Sequence, residues 1–207
     1  MGAGIEIPLF PLNTVLFPGG PLGVRIFEAR YIDMIRRCMR EDSGFGVVLI
    51  RDGPEAGGPA TTFDVGTHAR ISDFSQQPDG LLGISAVGTR RFRILERRRA
   101  RDGLNLADIE WLPEESSVAL PEEFSELGPA IEAALDQAGG PYLGLERLPA
   151  DAALVSSRLA EILPLPVAHK QHTLELDDPV ERLRYLRPLF EITHPYAGPR
   201  PRPRESA

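Results

Sequence analysis

Four runs decide the fold: Val65–Ile71 (VGTHARI), Leu81–Val87 (LLGISAV), Arg91–Leu95 (RFRIL) and Leu104–Trp111 (LNLADIEW). In the first, Val65, Thr67, Ala69 and Ile71 alternate with Gly66, His68 and Arg70, the period-2 pattern of a strand with one buried face. Turn chemistry separates the runs. Pro78-Asp79-Gly80 joins a preset φ to a residue free to take positive φ, and Asp102-Gly103 is a hairpin signal. Upstream, Phe45–Ile50 (FGVVLI) is apolar on both faces, and Gly23–Phe27 alternates. Ile5–Phe10 alternates through Ile5, Ile7 and Leu9, with Pro8 placing it at an edge or a bulge. Short turn-linked strands at this spacing predict an antiparallel sheet curled into a barrel. One helix interrupts them, Glu28–Arg40. Ile32, Ile35 and Met39 share one face, and Arg30, Asp33, Arg37 and Arg40 another. Such a helix is placed to cap one end of a barrel.

Near Pro113 the pattern turns helical. Phe124, Leu127, Ile131, Leu135 and Ala138 form a stripe that ends at Gly139-Gly140. Gly128-Pro129 lies inside it, so either two short helices or one kinked helix is expected. Leu154, Val155, Leu159 and Ile162 mark a helix capped near Asp151 and stopped by Pro164. Val167–Leu176 and Pro179–Ile192 follow. The expected fold class is α+β: a β-rich barrel subdomain over residues 1–112 and a helical subdomain over 113–193. Residues 194–207 (HPYAGPRPRPRESA) read as a flexible Pro- and Arg-rich tail.

Composition excludes several classes. The chain has 207 residues, 42% hydrophobic and 26% charged, the profile of a globular protein able to bury a core. Its net charge is −7, a poor match to a phosphate backbone. The single cysteine, Cys38, cannot form an internal disulfide and is expected buried on the apolar face of the first helix. No apolar run approaches the roughly 20 residues that span a bilayer, and Glu6 stands where a myristoylation signal needs Ser or Thr. A soluble cytoplasmic protein is the expectation.

Catalytic motifs are absent. Among 23 basic residues only Lys170 is a lysine, and it lies far from any glycine loop, so neither a phosphate-binding loop nor a Ser–Lys dyad can be built. Gly83-Ile84-Ser85-Ala86-Val87-Gly88 carries its second glycine one residue too late for a nucleophile elbow. Gly44-Phe45-Gly46 runs into a strand instead of a helix and lacks a third glycine. His169 and His172 stand i,i+3 on a helix without a carboxylate signature around them, and His68 is placed on the polar side of its strand. No cofactor, metal or catalytic residue is expected.

Charge is unevenly placed. Arg90–Arg101 holds seven arginines and one glutamate, whereas Pro113–Ala138 holds seven acids and no base. Two solvated faces, which could oppose one another, are the plain reading. A docking strip for acidic partners that includes Arg90 and Arg91 is the sharper one.

A family resemblance lies in the ordered series Ile7-Pro8-Leu9-Phe10-Pro11-Leu12, Val15-Leu16-Phe17-Pro18-Gly19, Pro21-Leu22, Ile26-Phe27-Glu28-Ala29-Arg30-Tyr31, Met34, Phe45–Ile50, Val65-Gly66-Thr67-His68-Ala69 and Gly88-Thr89-Arg90-Arg91-Phe92. It continues in Lys170-Gln171, Leu174-Glu175, Asp177 and Arg182-Leu183. The series resembles the N-terminal, substrate-recognising domain of Lon proteases across about residues 5–192, and looks most like free-standing bacterial members. The resemblance implies a PUA-like barrel followed by a helical bundle, with recognition of unfolded proteins or peptides and no catalytic residues. A partner protease or unfoldase would do the work.

In that series Phe10, Phe17, Phe27 and Phe92 are expected in the core, and Pro18-Gly19-Gly20-Pro21 as a turn. Phe27, Glu28, Arg30 and Tyr31 form the candidate contact patch. Its structural alternative is a local Glu28–Arg30 pair with Tyr31 packed inward. Two other functions remain open: a small-ligand or enzymatic pocket in which Glu28 and Arg30 converge with His68 and Arg70, and RNA binding through the barrel and Arg90–Arg101.

Overall fold

In the computed structural model, residues 5–58, 60–76, 81–115, 117–142, 144, 145, 147 and 150–193 are described. The expected turn at Pro78-Asp79-Gly80 and the tail 194–207 lie outside them. Seven strands come first: β1 (Ile5–Leu12), β2 (Pro21–Ile26), β3 (Phe45–Asp52), β4 (Thr61–Thr62), β5 (Val65–Gln76), β6 (Leu82–Arg99) and β7 (Asn105–Trp111). Helix α1 (Ala29–Arg40) lies between β2 and β3. Then come α2 (Leu127–Ala138), α3 (Ala152–Ile162), α4 (Val167–Glu175) and α5 (Pro179–Thr193), with short 3-10 turns at Glu122–Phe124 and Gly140–Tyr142. No helix among the described residues is long and apolar enough to cross a membrane.

The strands are hydrogen-bonded in the order β1-β7-β6-β5-β3 and return to β1. All neighbouring pairs in that ring are antiparallel except β1 with β3, which run parallel through Leu9–Leu12 and Gly46–Leu49. Pro8 pairs with Leu106 of β7 and lies just before the β3 ladder, which begins at Leu9, so its missing N–H falls where β1 has one strand neighbour, in keeping with the expected edge position. The interior of the ring is filled by Ile7, Leu9, Val48, Phe92, Ile94, Ala107 and Ile109. Gly46 and Gly66 make room for the fully buried Phe92: a Cβ at Gly46 would stand 2.7 Å from its Cζ, and one at Gly66 2.9 Å.

The doubly apolar FGVVLI run serves three sites. Val48 points into the ring, Val47 joins the core under α1, and Leu49 joins the core under the later helices. Each buried side chain of this size stabilises the fold by roughly 1.5–3 kcal/mol relative to exposure.

Helix α1 caps a core of Phe10, Leu22, Ile26, Phe45, Ile84 and Leu104. Its buried face is Tyr31, Met34, Ile35 and Cys38, spaced i, i+3, i+4, i+7. The face expected from Ile32, Ile35 and Met39 is thus rotated, and Met39 is exposed. Tyr31 supplies the missing anchor by stacking on Phe10 with ring centroids 4.4 Å apart. Cys38 is buried as expected, its Sγ donating to the Gly44 carbonyl at 3.3 Å.

Three further expectations are corrected or sharpened. The runs Leu81–Val87 and Arg91–Leu95 belong to one strand, β6, which runs unbroken through Gly88. That glycine serves a close approach and not a turn, since a Cβ there would lie 2.2 Å from the Phe17 carbonyl oxygen. Gly128-Pro129 does not split its helix, because Pro129 falls in the first turn of α2, where a missing N–H is harmless. Phe27 is not core: it is 60% exposed. Phe10, Phe17 and Phe92 are buried as expected, and Pro18-Gly19 is a turn, with Gly19 at φ +69.

The helices pack onto the ring through one continuous core that joins Val15, Phe17, Leu49 and Val65 to Phe124, Leu127, Ile131, Leu135, Leu159 and Leu183. Asp151 caps α3 as expected, accepting from Leu154 N–H at 2.9 Å.

Candidate functional site

The candidate patch grows from the end of β2. Leu22 and Ile26 are buried in the core under α1 and Val24 packs against it, so Gly23, Arg25 and then Phe27 take the outward parity. Beside them lies a cavity of about 250 Å³ lined by Phe10, Leu12, the consecutive residues Gly23 to Phe27, Glu28, Tyr31, Glu55 and Ala56. Glu55 is held in place by Asn13, whose side-chain amide donates to Oε2 at 2.8 Å and whose backbone N–H donates at 3.2 Å.

The four patch residues divide by role. Glu28 pairs with Arg30 at 2.8 Å, and Arg30 also donates to the Gly103 carbonyl at 3.0 Å and lies over the Tyr31 ring. Tyr31 is buried, and burial pushes its phenol up from the ordinary value. The local pairing and inward packing weighed as the structural alternative are therefore present, and Phe27 is the patch residue that presents a large apolar surface.

His68 and Arg70 do not converge on Glu28 and Arg30. They line a different cavity, of about 630 Å³, with Arg37, Asp42 and Trp111. Arg70 donates to Asp42 at 3.1 Å. His68 is half-buried where the polar side of its strand was expected. Its Nδ1 lies 2.8 Å from Thr89 Oγ1, its ring meets Trp111 edge-on at 5.5 Å, and burial lowers its pKa. The pocket in which those four groups would act together is not formed. His169 and His172 both contact Tyr185, His169 Nδ1 lying 2.5 Å from its hydroxyl. Among the described residues no group of three or more His, Cys, Asp or Glu could hold a metal ion.

The arginine strip is largely committed inward or to neighbours. Arg91 is only 2% exposed: it donates to the Leu174 and Leu176 carbonyls at 2.8 and 3.1 Å and pairs with Glu115 and Asp177. It cannot meet a partner directly. Arg90 donates to the Leu112 carbonyl at 2.9 Å and pairs loosely with Glu114. Arg93 pairs with Glu110, Arg97 with Asp64, and Arg98 with Glu6 and Asp108. Among the described residues the acidic segment meets the strip through Glu114 and Glu115. Its other pairs among the described residues run to α5, Glu115 with Arg182, Glu123 with Arg184 and Glu126 with Arg187, and to Arg147, which pairs with Asp136. Pairing of Arg90, Arg91, Arg93, Arg97 and Arg98 with carboxylates lowers the positive potential that an RNA backbone would meet on the strip.

What sequence reasoning missed is the run Gly23 to Arg25 as a lining and the Glu55–Ala56 wall. The first carried a signal, because the parity of Leu22, Val24 and Ile26 already turns Gly23, Arg25 and Phe27 outward. The second carried none, since Asn13 and Glu55 are 42 residues apart.

Comparison with known proteins agrees with this geometry. The model of the ATP-dependent protease La (LON) substrate-binding domain matches residues 6–190. Lon protease of Haemophilus influenzae is 28% identical over 198 residues, 89% of this chain and 24% of that protein. Protein cereblon of Danio rerio is 31% identical over 113 residues, 53% of this chain and 26% of that protein. The chain thus spans about a quarter of the length of these curated relatives. The crystal structure of a Lon N-terminal domain protein from Xanthomonas campestris superposes with a TM-score of 0.76 at 38% identity, covering 89% of this chain and 98% of that one. The N-terminal domain of Mycobacterium avium complex Lon protease shares the fold, at a TM-score of 0.63 and 18% identity. With a closed strand ring, helices packed against it and a family match along nearly its whole length, the chain belongs to the Lon substrate-binding domain family.

Proposed function

We propose that this protein is a non-catalytic module that recognises unfolded or degradation-bound proteins and presents them to a separate protease or unfoldase. The family match over residues 6–190 carries the reading. The exposed Phe27 beside a partly apolar cavity supports it, because capture of unfolded chains needs accessible apolar surface rimmed by polar groups. The division into a β-rich part, residues 1–112, and a helical part, 113–193, belongs to the same proposal: the first carries the contact surface and the second braces it. Phe27 is the proposed contact, Glu28 and Arg30 its polar rim, and Tyr31 its support. Arg90 stands apart near Trp111.

The test is fluorescence anisotropy of labelled lysozyme, reduced and carboxamidomethylated so that it stays unfolded, with folded lysozyme as control. Saturable binding of the unfolded form alone is expected. No binding up to roughly tens of micromolar would sink the general recognition reading.

A further inference from the structure

Strand β2 is the loose end of the sheet. It pairs with β6 from Pro21 to Ile26 and has no second strand neighbour among the described residues, where the 3-10 turn Gly140–Tyr142 comes close to it without pairing. In an antiparallel pair only alternate residues exchange hydrogen bonds with the neighbour, so the others turn N–H and C=O toward the open side. Such an edge is a template for another backbone.

The cavity beside it gives this edge a second property. Five consecutive residues, Gly23 to Phe27, line it, so the strand runs along the cavity instead of touching it with one side chain. Phe10, Leu12 and Tyr31 add an apolar lining, and Glu55 and Ala56 complete it. Nothing lies within 4 Å of the place a Gly23 side chain would occupy, so the sheet face is open at that residue.

One kind of occupant satisfies these features together. A helix would leave the edge unpaired, and a compact ligand would fill the cavity without using the strand. An extended polypeptide segment does both, since its main chain continues the sheet and alternate side chains reach the cavity. The charge is also informative. Glu28 and Glu55 line the cavity with Arg25, and Arg30 pairs with Glu28, so the lining itself is balanced and the charge a partner meets is the chain's net −7. Acidic segments are disfavoured there.

We propose that the open edge of β2 takes up an extended neutral or basic segment as an added strand, with an apolar side chain in the cavity and Phe27 packed against it. This rests on the recognition reading above and gives it a binding mode. Main-chain pairing reads no particular sequence, which suits clients that share only their lack of structure.

Hydrogen–deuterium exchange of the full chain, alone and with the reduced, carboxamidomethylated lysozyme, tests the mode. Amides within residues 21–27 are expected to exchange at least about tenfold more slowly in the complex, with the ring strands unchanged. If anisotropy shows binding but the protection falls elsewhere, for example around the exposed Met39 and Phe74, the β2 proposal is overturned while the recognition reading stands. If the polypeptide does not bind at all, both are overturned.

Discussion

Arg158 and Glu161, three residues apart on α3, form a buried ion pair beneath the Pro18-Gly19-Gly20 turn. Arg158 also donates to the Pro18 carbonyl at 3.3 Å, and a Cβ at Gly20 would collide with Glu161 Oε1. Lys170 closes the cluster by donating to the Glu161 carbonyl at 2.9 Å.

Burial pushes the Glu161 carboxyl up from 4.5 to about 7, although Arg158 and Lys170 both pull it down. The folded state therefore holds this proton more tightly than the unfolded chain. The stability it contributes is fully present below 4.5 and is lost as pH rises to about 7. The wild type should lose ground to Glu161→Gln across that window, by at most about 1.4 kcal/mol per pH unit, with a constant difference above it. Urea unfolding followed by Trp111 fluorescence at several pH values checks this, and a difference independent of pH would refute it.

Arg91→Ala should destabilise the fold by about 1–3 kcal/mol, because the Leu174 carbonyl loses its donor from Arg91, while Arg182 still pairs with Glu115 and still donates to the Leu176 carbonyl. Arg91→Lys should recover only part of this, since an ammonium cannot reproduce the planar fork. Asp177→Asn should cost under about 1 kcal/mol, because that carboxylate is 68% exposed. Equilibrium unfolding of the three variants orders them.

Phe27→Ala and Tyr31→Ala should separate binding from folding. The first should change stability by less than about 0.5 kcal/mol and weaken binding of unfolded lysozyme severalfold by anisotropy. The second removes a buried ring stacked on Phe10 and should cost about 3 kcal/mol. Full affinity in Phe27→Ala would take that side chain out of the contact.

Gly46→Ala should cost about 1–3 kcal/mol through overpacking, because its methyl would meet Phe92, Ile7 and Leu9 inside the ring. Phe92→Leu in the same chain should recover part of the loss, measurable as a rise in Tm over the single variant.

Cys38 should react with a thiol reagent far more slowly in the native protein than in urea. It is buried, and burial raises its pKa, so the reactive thiolate is scarce. Native labelling as fast as in the unfolded chain would contradict the packing of α1.

Much of the fold was legible because local periodicity carries it. Val65 to Ile71, the FGVVLI run and the Phe124–Leu135 stripe each reveal their buried side over a few residues. The break between Leu81–Val87 and Arg91–Leu95 was misleading, since Gly88, which admits the Phe17 carbonyl, interrupts the alternation without ending the strand. Phe27 was misjudged by residue type, although the alternation of Leu22, Val24 and Ile26 already placed it outside. The fate of the arginines could not be read. That Glu115 stands between Arg91 and Arg182 follows from how the helices dock on β6, not from any spacing along the chain. The cavity was hidden for the same reason, since one of its linings comes from Glu55 and Ala56.

The closure of the ring bears on the order in which a ribosome delivers it. Strand β1 is made before the other strands, and its parallel neighbour β3 follows some forty residues later, with Leu9 opposite Gly46. Its antiparallel neighbour arrives only with β7, where Ile5 meets Ile109. During synthesis one flank of β1 therefore waits bare for most of the time the strands are being produced, and β7 is the piece that seals it.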